Sequence, residues 1–258
     1  MKKYIYNYQT ITRFVAPVSK HFFLLRCMPC DTACQHVEGG HLFLQPYDFL
    51  SYGRDTWGNS IEYGSRFDPH DSFVFVSSGV VALDSYAIPA EGRLEVFRVP
   101  SPLTAMSEEM HRFLAEVGGK VTASPLDRAL ALSRAVHEHM SYVPECTCTD
   151  TTAGQAFAQA KGVCQDYAHI LIALCRERNI VARYVNGFLP GTGATHAWVE
   201  VLDDGLWRGI DPTNNLLIDY GYIKLSHGRD ATDCPVNRGM FTGATAQQTE
   251  IRVIVEEI

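Results

Sequence analysis

Three short segments decide how this chain reads: Gly162-Val163-Cys164-Gln165-Asp166-Tyr167, Thr195-His196-Ala197-Trp198-Val199-Glu200 and Gly209-Ile210-Asp211-Pro212-Thr213-Asn214. They set out a thiol, an imidazole and a carboxylate in that order. A free thiol is mostly protonated near neutral pH and attacks poorly. A neighbouring imidazole holds it as thiolate, and a carboxylate orients the imidazole. Cys164, His196 and Asp211 therefore form a candidate nucleophile, base and orienter.

The local patterns place each group. Ala168, Leu171, Ile172 and Cys175 recur at helical spacing after Cys164. Cys164 thus opens a helix, where unpaired N–H groups and the positive end of the dipole favour an anion. Cys175 lies on the apolar stripe of the same helix and reads as core. His196 opens a strand, and Asp211 closes the next one after an Asp203-Asp204-Gly205 turn. A hairpin of that length brings the two residues to the same end of the ladder. Upstream, Gln155 on a short helix is the candidate oxyanion donor; the alternative is a capping or solvated role. Gln165 is expected to point away along its helix. Asp166 and His169 are expected in a hydrogen-bond network behind it. Asn214 and Asn215 are expected only to shape the turn after Asp211.

Before these segments lie helical patterns. Ser107-Glu108-Glu109-Met110 opens one, Ser124-Pro125 starts a second running to Met140, and a third covers Ala153 to Ala160. Beyond Asn179 strands return: Ala182–Phe188, His196–Leu202, Leu206–Ile210, Tyr222–Leu225 and Glu250–Glu256. The first hundred residues read mostly as strand: Tyr4–Val15, His21–Arg26, His41–Gln45, Ser60–Phe67, Phe73–Leu83 and Arg93–Val99. Turn signals between them point to a sandwich-like β-domain. Pro100-Ser101-Pro102 is the natural break. The expected organisation is a β-rich domain over 1–100 and an α+β catalytic domain over 103–258.

Composition excludes several function classes. A net charge of -7 argues against nonspecific nucleic-acid or anionic-membrane partners, which need clustered Lys and Arg. No apolar run approaches the roughly 20 residues of a membrane span. Met1-Lys2-Lys3-Tyr4-Ile5-Tyr6-Asn7-Tyr8 lacks a signal-like apolar core, so a cytoplasmic location is expected. Of 8 Cys, Cys27, Cys30 and Cys34 cluster tightly. Zinc there would take a fourth ligand such as His36 or His41, but the paired CxxC elements of a zinc site are missing, and free thiols are the expected state. No nucleotide loop or paired metal-ligand spacing appears near the triad, so neither a cofactor nor a metal is expected.

The segments closely resemble the transglutaminase-like superfamily, in its bacterial cysteine-protease-like branch. The likeness runs from Leu126 to about Gly243. It rests on Lys161 to His169, Ala182-Arg183-Tyr184-Val185-Asn186-Gly187, His196 to Val201 and Asp211-Pro212-Thr213-Asn214-Asn215, with Gly228-Arg229-Asp230 and Arg238-Gly239-Met240-Phe241 beyond. Residues 1–100 resemble that branch's N-terminal β-domain more weakly. The resemblance implies a papain-like α+β core and a Cys164-His196-Asp211 triad. The short glycine-rich Gly191-Thr192-Gly193-Ala194-Thr195 loop departs from the family pattern and bears on the substrate pocket. The expected activity is thioester-forming hydrolysis of amides, with a peptide or protein as substrate. The rival enzyme is a calcium-independent transglutaminase, since clustered acidic calcium loops are missing. The rival from another class is a catalytically silent protein-binding module, against which an intact triad weighs. Oligomeric state is not legible in the sequence.

Overall fold

The structure, a computed structural model, describes residues 1–92, 94–117 and 123–258. Its organising element is the strand Lys2–Leu25. Tyr4, Tyr6, Tyr8, Thr10, Thr12 and Phe14 are buried at every second position while their neighbours face outward, the period a half-buried strand requires. The first half of this strand lies between His70–Leu83 and Gln247–Glu257. Its second half lies between Ser60–Arg66 and Asn237–Thr242. The register shifts between Arg13 and Val18 and a positive φ of 50° at Lys20 mark where the chain bends from one ladder into the other. Gln35–Gln45 extends the first ladder beyond His70–Leu83, and Phe49–Arg54 extends the second beyond Ser60–Arg66. Phe23, Leu25, Phe73 and Phe75 join the buried tyrosines in an aromatic core.

This corrects the expected boundary in one respect. Strands 237–242 and 247–257 come from the C-terminal end of the chain, yet they complete the ladders of the first strand. The reverse also holds, since Ile88–Pro89 pairs with Leu206 and Trp207. A cut at Pro100–Pro102 therefore divides both sheets. The expected strand Arg93–Val99 is a second correction. Arg93 lies outside the described residues, and Leu94–Arg98 form a 3-10 helix. Its Phe97 is buried edge-on against Trp207 at 5.6 Å, and that contact overrides local β-propensity.

Among the described residues, the second half places four α-helices against an antiparallel sheet. The helices are Glu108–Val117, Pro125–His139, Ala153–Gln159 and Cys164–Glu177. The second begins as its sequence dictates: Ser124 accepts the Asp127 N–H at 3.1 Å, with Pro125 in the first turn. The sheet runs Leu216–Leu217, Leu206–Asp211, His196–Asp203, Ala182–Phe188, Ile223–Gly228. Ala197, Val199 and Val201 face the helices with Ile170, Leu171 and Leu174. Trp198, Trp207 and Val185 pack on the opposite side with Tyr86 and Phe97. Phe188, Ile223 and Leu225 reach into the aromatic core, so the sheets of the two halves share one interior. Among the described residues, no helix is long and apolar enough to cross a membrane.

Candidate active site

The nucleophile helix begins at Cys164 itself. The Asp166 carboxylate accepts the Val163 N–H at 2.8 Å and the Thr147 hydroxyl at 2.7 Å. It thereby caps its own helix and ties down the 143–152 loop. Gly162 is required by this fold-back, because a Cβ there would stand 2.6 Å from the Cβ of Asp166. His169, one turn on, is buried, and its Nε2 accepts the Ala231 N–H at 3.2 Å. Burial pushes its pKa down to about 4, so it is neutral. These two residues form the support expected behind the helix.

His196 and Asp211 meet as the hairpin predicts. Val199 opposes Ile210 and Asp203 opposes Leu206, across a turn with positive φ at Asp204 and Gly205. One step further, Asp211 falls opposite Trp198, on the face that Trp198 shares with His196. His196 Nε2 donates to Asp211 Oδ2 at 2.8 Å. Asp211 Oδ2 also accepts from the Tyr222 hydroxyl at 2.6 Å and Asn214 Nδ2 at 2.7 Å. Its Oδ1 takes the backbone N–H groups of Thr213 and Asn214 at 2.8 and 3.1 Å. Burial alone would raise the Asp211 pKa. The hydrogen bonds and charge of its partners overcome that, and the net shift is downward.

The imidazole responds to both neighbours. Burial lowers the His196 pKa, but hydrogen bonding to Asp211 and Cys164 and the negative charge of both outweigh it. The result is about 9. With Nε2 committed to Asp211, Nδ1 is left for the sulfur. The site therefore brings thiol, imidazole and carboxylate together in the order the sequence set out.

Several readings change. Gln155 does not serve the oxyanion: its Oε1 accepts the Thr152 N–H at 2.9 Å and its own N–H goes to the Thr152 hydroxyl. This is a capping box on an exposed side chain. Gln165 does not point away. It lines the cleft and donates to the Thr149 carbonyl at 3.3 Å. Asn214 does more than shape a turn, since it holds the Asp211 carboxylate directly. Two neighbours of these groups were missed. Tyr222 packs edge-on to Trp198 at 5.3 Å while bonding Asp211. Tyr142 belongs to a short strand beside Lys161–Gly162, and its phenol pKa is raised by burial and by the Cys164 charge. No motif marks either residue; Tyr222 lies 11 positions beyond its partner.

The remaining cysteines lie elsewhere. Cys27 Sγ faces the Glu62 carboxylate at 3.6 Å, Cys30 Sγ faces the Lys224 carbonyl at 3.7 Å, and Cys34 Sγ lies 3.6 Å from the Thr32 hydroxyl. Among the described residues no three His, Cys, Asp or Glu side chains converge on a metal position.

Behind the hairpin, Glu200 is fully buried. It is paired with Arg183, accepts Lys224 Nζ at 2.8 Å and takes the Tyr86 hydroxyl at 2.5 Å. Arg183 lies over the Trp207 ring, 4.0 Å from its centroid. Burial would raise the Glu200 pKa, but the two cations drive it well below the carboxylate range. Glu200→Gln should cost about 3–5 kcal/mol, because two buried cations lose their counter-charge. Chemical denaturation with unchanged slope checks this; a loss under 1 kcal/mol would show the cluster to be water-relaxed.

A cleft of about 450 Å³ is lined by Gln165 and Thr195, the chain neighbours of Cys164 and His196, with Thr149, Asp150, Asn186 and Arg238 among others. Its walls come from the 143–152 loop, the strand Ala182–Phe188 and the strand Asn237–Thr242. Fold and site together define a transglutaminase-like protein.

The chain belongs to the transglutaminase-like superfamily. The model of that superfamily's core matches residues 113–212, and the model of the bacterial transglutaminase-like N-terminal region matches residues 4–82. An uncharacterised protein of Mycobacterium leprae is 28% identical over 227 residues, covering 78% of this chain and 79% of that one. An uncharacterised protein of Mycobacterium tuberculosis is 34% identical over 126 residues, or 43% of this chain and 40% of the relative. The crystal structure of a candidate cysteine protease from Cytophaga hutchinsonii superposes with a TM-score of 0.85 at 21% identity, over 100% of this chain and 91% of that one. At that identity the likeness establishes the fold.

Proposed function

We propose that this protein is a cysteine hydrolase of amide bonds, acting on peptides through Cys164, His196 and Asp211. One observation carries the reading. A fully buried Asp211 gathers five donors, and one of them is the imidazole whose other face meets Cys164. A surface carboxylate or a purely structural histidine has no need of such a shell. In the proposed reaction, the Cys164 thiolate attacks the amide carbon. The backbone N–H of Cys164, free at the helix start, meets the oxyanion. His196 as imidazolium gives its proton to the leaving amine, and the carbonyl carbon remains as a thioester on sulfur. His196 then takes a proton from water, whose oxygen attacks the thioester, and Cys164 is released as thiolate.

Hydrolysis and amine transfer diverge at the last step. The experiment is an amide substrate offered with and without a primary amine, followed by mass spectrometry. The expected product is the carboxylic acid in both mixtures, with a thioester on Cys164 in trapped samples. Product found mainly as the amine conjugate would make the protein a transferase. Iodoacetamide labelling of Cys164 no faster than of buried Cys175 would remove the nucleophile assignment.

A further inference from the structure

The second ladder of the β-layer has an open face, and register defines it. Leu24 stands between Tyr63 and Arg238, and Phe22 stands between Ser65 and Met240. Phe49 opposes Ser65 from the next strand. Residues paired in register point to the same side. Phe22, Phe49, Tyr63 and Met240 therefore share one face, and they are 48%, 54%, 40% and 72% exposed. They line or border a groove of about 490 Å³, to which Ile61 and Leu24 also contribute. Elsewhere the same ladder turns large apolar side chains such as Phe23 and Leu25 inward. A cluster of four exposed large apolar groups on one sheet face is the mark of a contact surface.

Two features say what covers it. First, Arg238 belongs both to this groove and to the cleft lined by Gln165 and Thr195, the chain neighbours of Cys164 and His196. The groove and the cleft thus meet at one residue. Second, Arg238 lies on the strand Asn237–Thr242, which pairs with the first strand and, among the described residues, with no other. Its outer edge offers unpaired N–H and C=O groups alongside the cleft. Such an edge accepts an extended peptide as an added strand, with alternate side chains directed to one face.

We infer that the Asn237–Thr242 edge and the apolar face of Phe22, Tyr63 and Met240 dock an extended, alternately apolar stretch of the polypeptide substrate, whose neighbouring amide then lies in the Cys164 cleft. This rests on the peptide-hydrolase reading and narrows it. The substrate is a chain long enough to reach from the cleft onto the sheet, and isolated small amides lack half of the site. Main-chain pairing supplies register, and the apolar pockets select residues at every second position. The chain that contributes the docking strand is the C-terminal segment that completes the β-layer, which gives this layer a direct part in substrate choice.

The test uses the full chain carrying Cys164→Ala, so that binding is read without turnover. The probe is a fluorescein-labelled 12-residue peptide alternating Val or Leu with Thr. Its control has the same composition with N-methylated alternate amides, which cannot donate to a strand edge. Fluorescence polarisation should show the plain peptide binding at least ten-fold more tightly than the control. Met240→Glu and Phe22→Ser should each weaken the plain peptide at least ten-fold, with circular dichroism confirming that each variant is folded. Equal binding of the two peptides, or variants that bind like the parent, would overturn the inference. Sedimentation that shows a dimer dispersed by Met240→Glu, with peptide binding unchanged, would also overturn it and give the face to a second copy. The underlying reading fails differently: the plain peptide binds as expected, but the parent protein forms no thioester with any amide.

Discussion

Asp211→Asn should lower amide turnover by about four orders of magnitude while the protein stays folded. Nearly every group around Asp211 is a donor: the His196 Nε2–H, the Tyr222 hydroxyl, the Asn214 amide and two backbone N–H groups. An asparagine presents one oxygen and one NH₂ to that shell. The NH₂ then faces donors, and the least costly adjustment is for the imidazole to give up its Nε2–H and become the acceptor. That tautomer carries its proton on Nδ1, toward the sulfur, and can no longer take the thiol's proton. The variant also removes two influences that raise the imidazole pKa to about 9: the Asp211 hydrogen bond and its charge. The sign follows. Imidazolium is needed to protonate the leaving amine, so activity is kept below the His196 pKa and lost above it. The alkaline limb of kcat/KM should lie near pH 9 in the parent and move to lower pH in Asp211→Asn. A variant with full turnover and an unmoved limb would reduce Asp211 to a turn residue.

The candidate triad was legible because its geometry is local. Cys164 sits at a helix start set by its own sequence, and the hairpin sets His196 against Asp211, 15 positions on. The cap on Gln155 was written in the same local code, as Thr152-Ala153-Gly154-Gln155 is a Ser/Thr-x-x-Gln/Glu box. The oxyanion reading lost to it for a simple reason: a side chain bonded back to its own helix start is turned away from the thiol. Tyr222 was not legible, because a tyrosine in an apolar neighbourhood reads as core until its hydroxyl is seen to meet Asp211; Tyr142 was not, because nothing in its own stretch of sequence shows that the Cys164 charge bears on its phenol. The family models and the 0.85 superposition establish the transglutaminase-like fold on which these residues stand. The strand Gln247–Glu257 was visible as a strand, but not its partner. Its pairs with Tyr4–Phe14 span more than two hundred residues, and a period of two carries no information about which strand lies alongside. The neighbouring Asn237–Thr242 strand was not recognised as one, with Gly239 inside it and Gly243 at its end.

That missing partner decides the last expectation: a fragment beginning at Leu103 should not fold alone. The proline-rich break invites such a cut, and a second half with its own core would survive it. Here the cut strips the second-half sheet of its neighbours. Phe188 loses Tyr6 and Tyr8, whose rings lie 5.9 and 5.1 Å from its own. Ile223, Leu225, Val253 and Val255 lose the same aromatic core. At about 1.5–3 kcal/mol for each large side chain returned to water, these five alone approach the 5–15 kcal/mol that holds a typical domain together. Polar losses follow. Gln35 no longer brackets Lys224, whose N–H and carbonyl it binds at 2.7 and 2.8 Å. Tyr86 no longer donates to Glu200 or accepts from Trp198. The strand 247–257 is left without the partner that pairs it along eleven positions. The fragment should therefore show no cooperative thermal transition, and its Cys164 and Cys175 should label at similar rates. Adding a separately made 1–102 chain should restore both the transition and the preference for Cys164, because the missing contacts are noncovalent. A fragment that melts cooperatively and still labels Cys164 first would mean the helices and their sheet suffice, and that the shared interior contributes less than its buried area indicates.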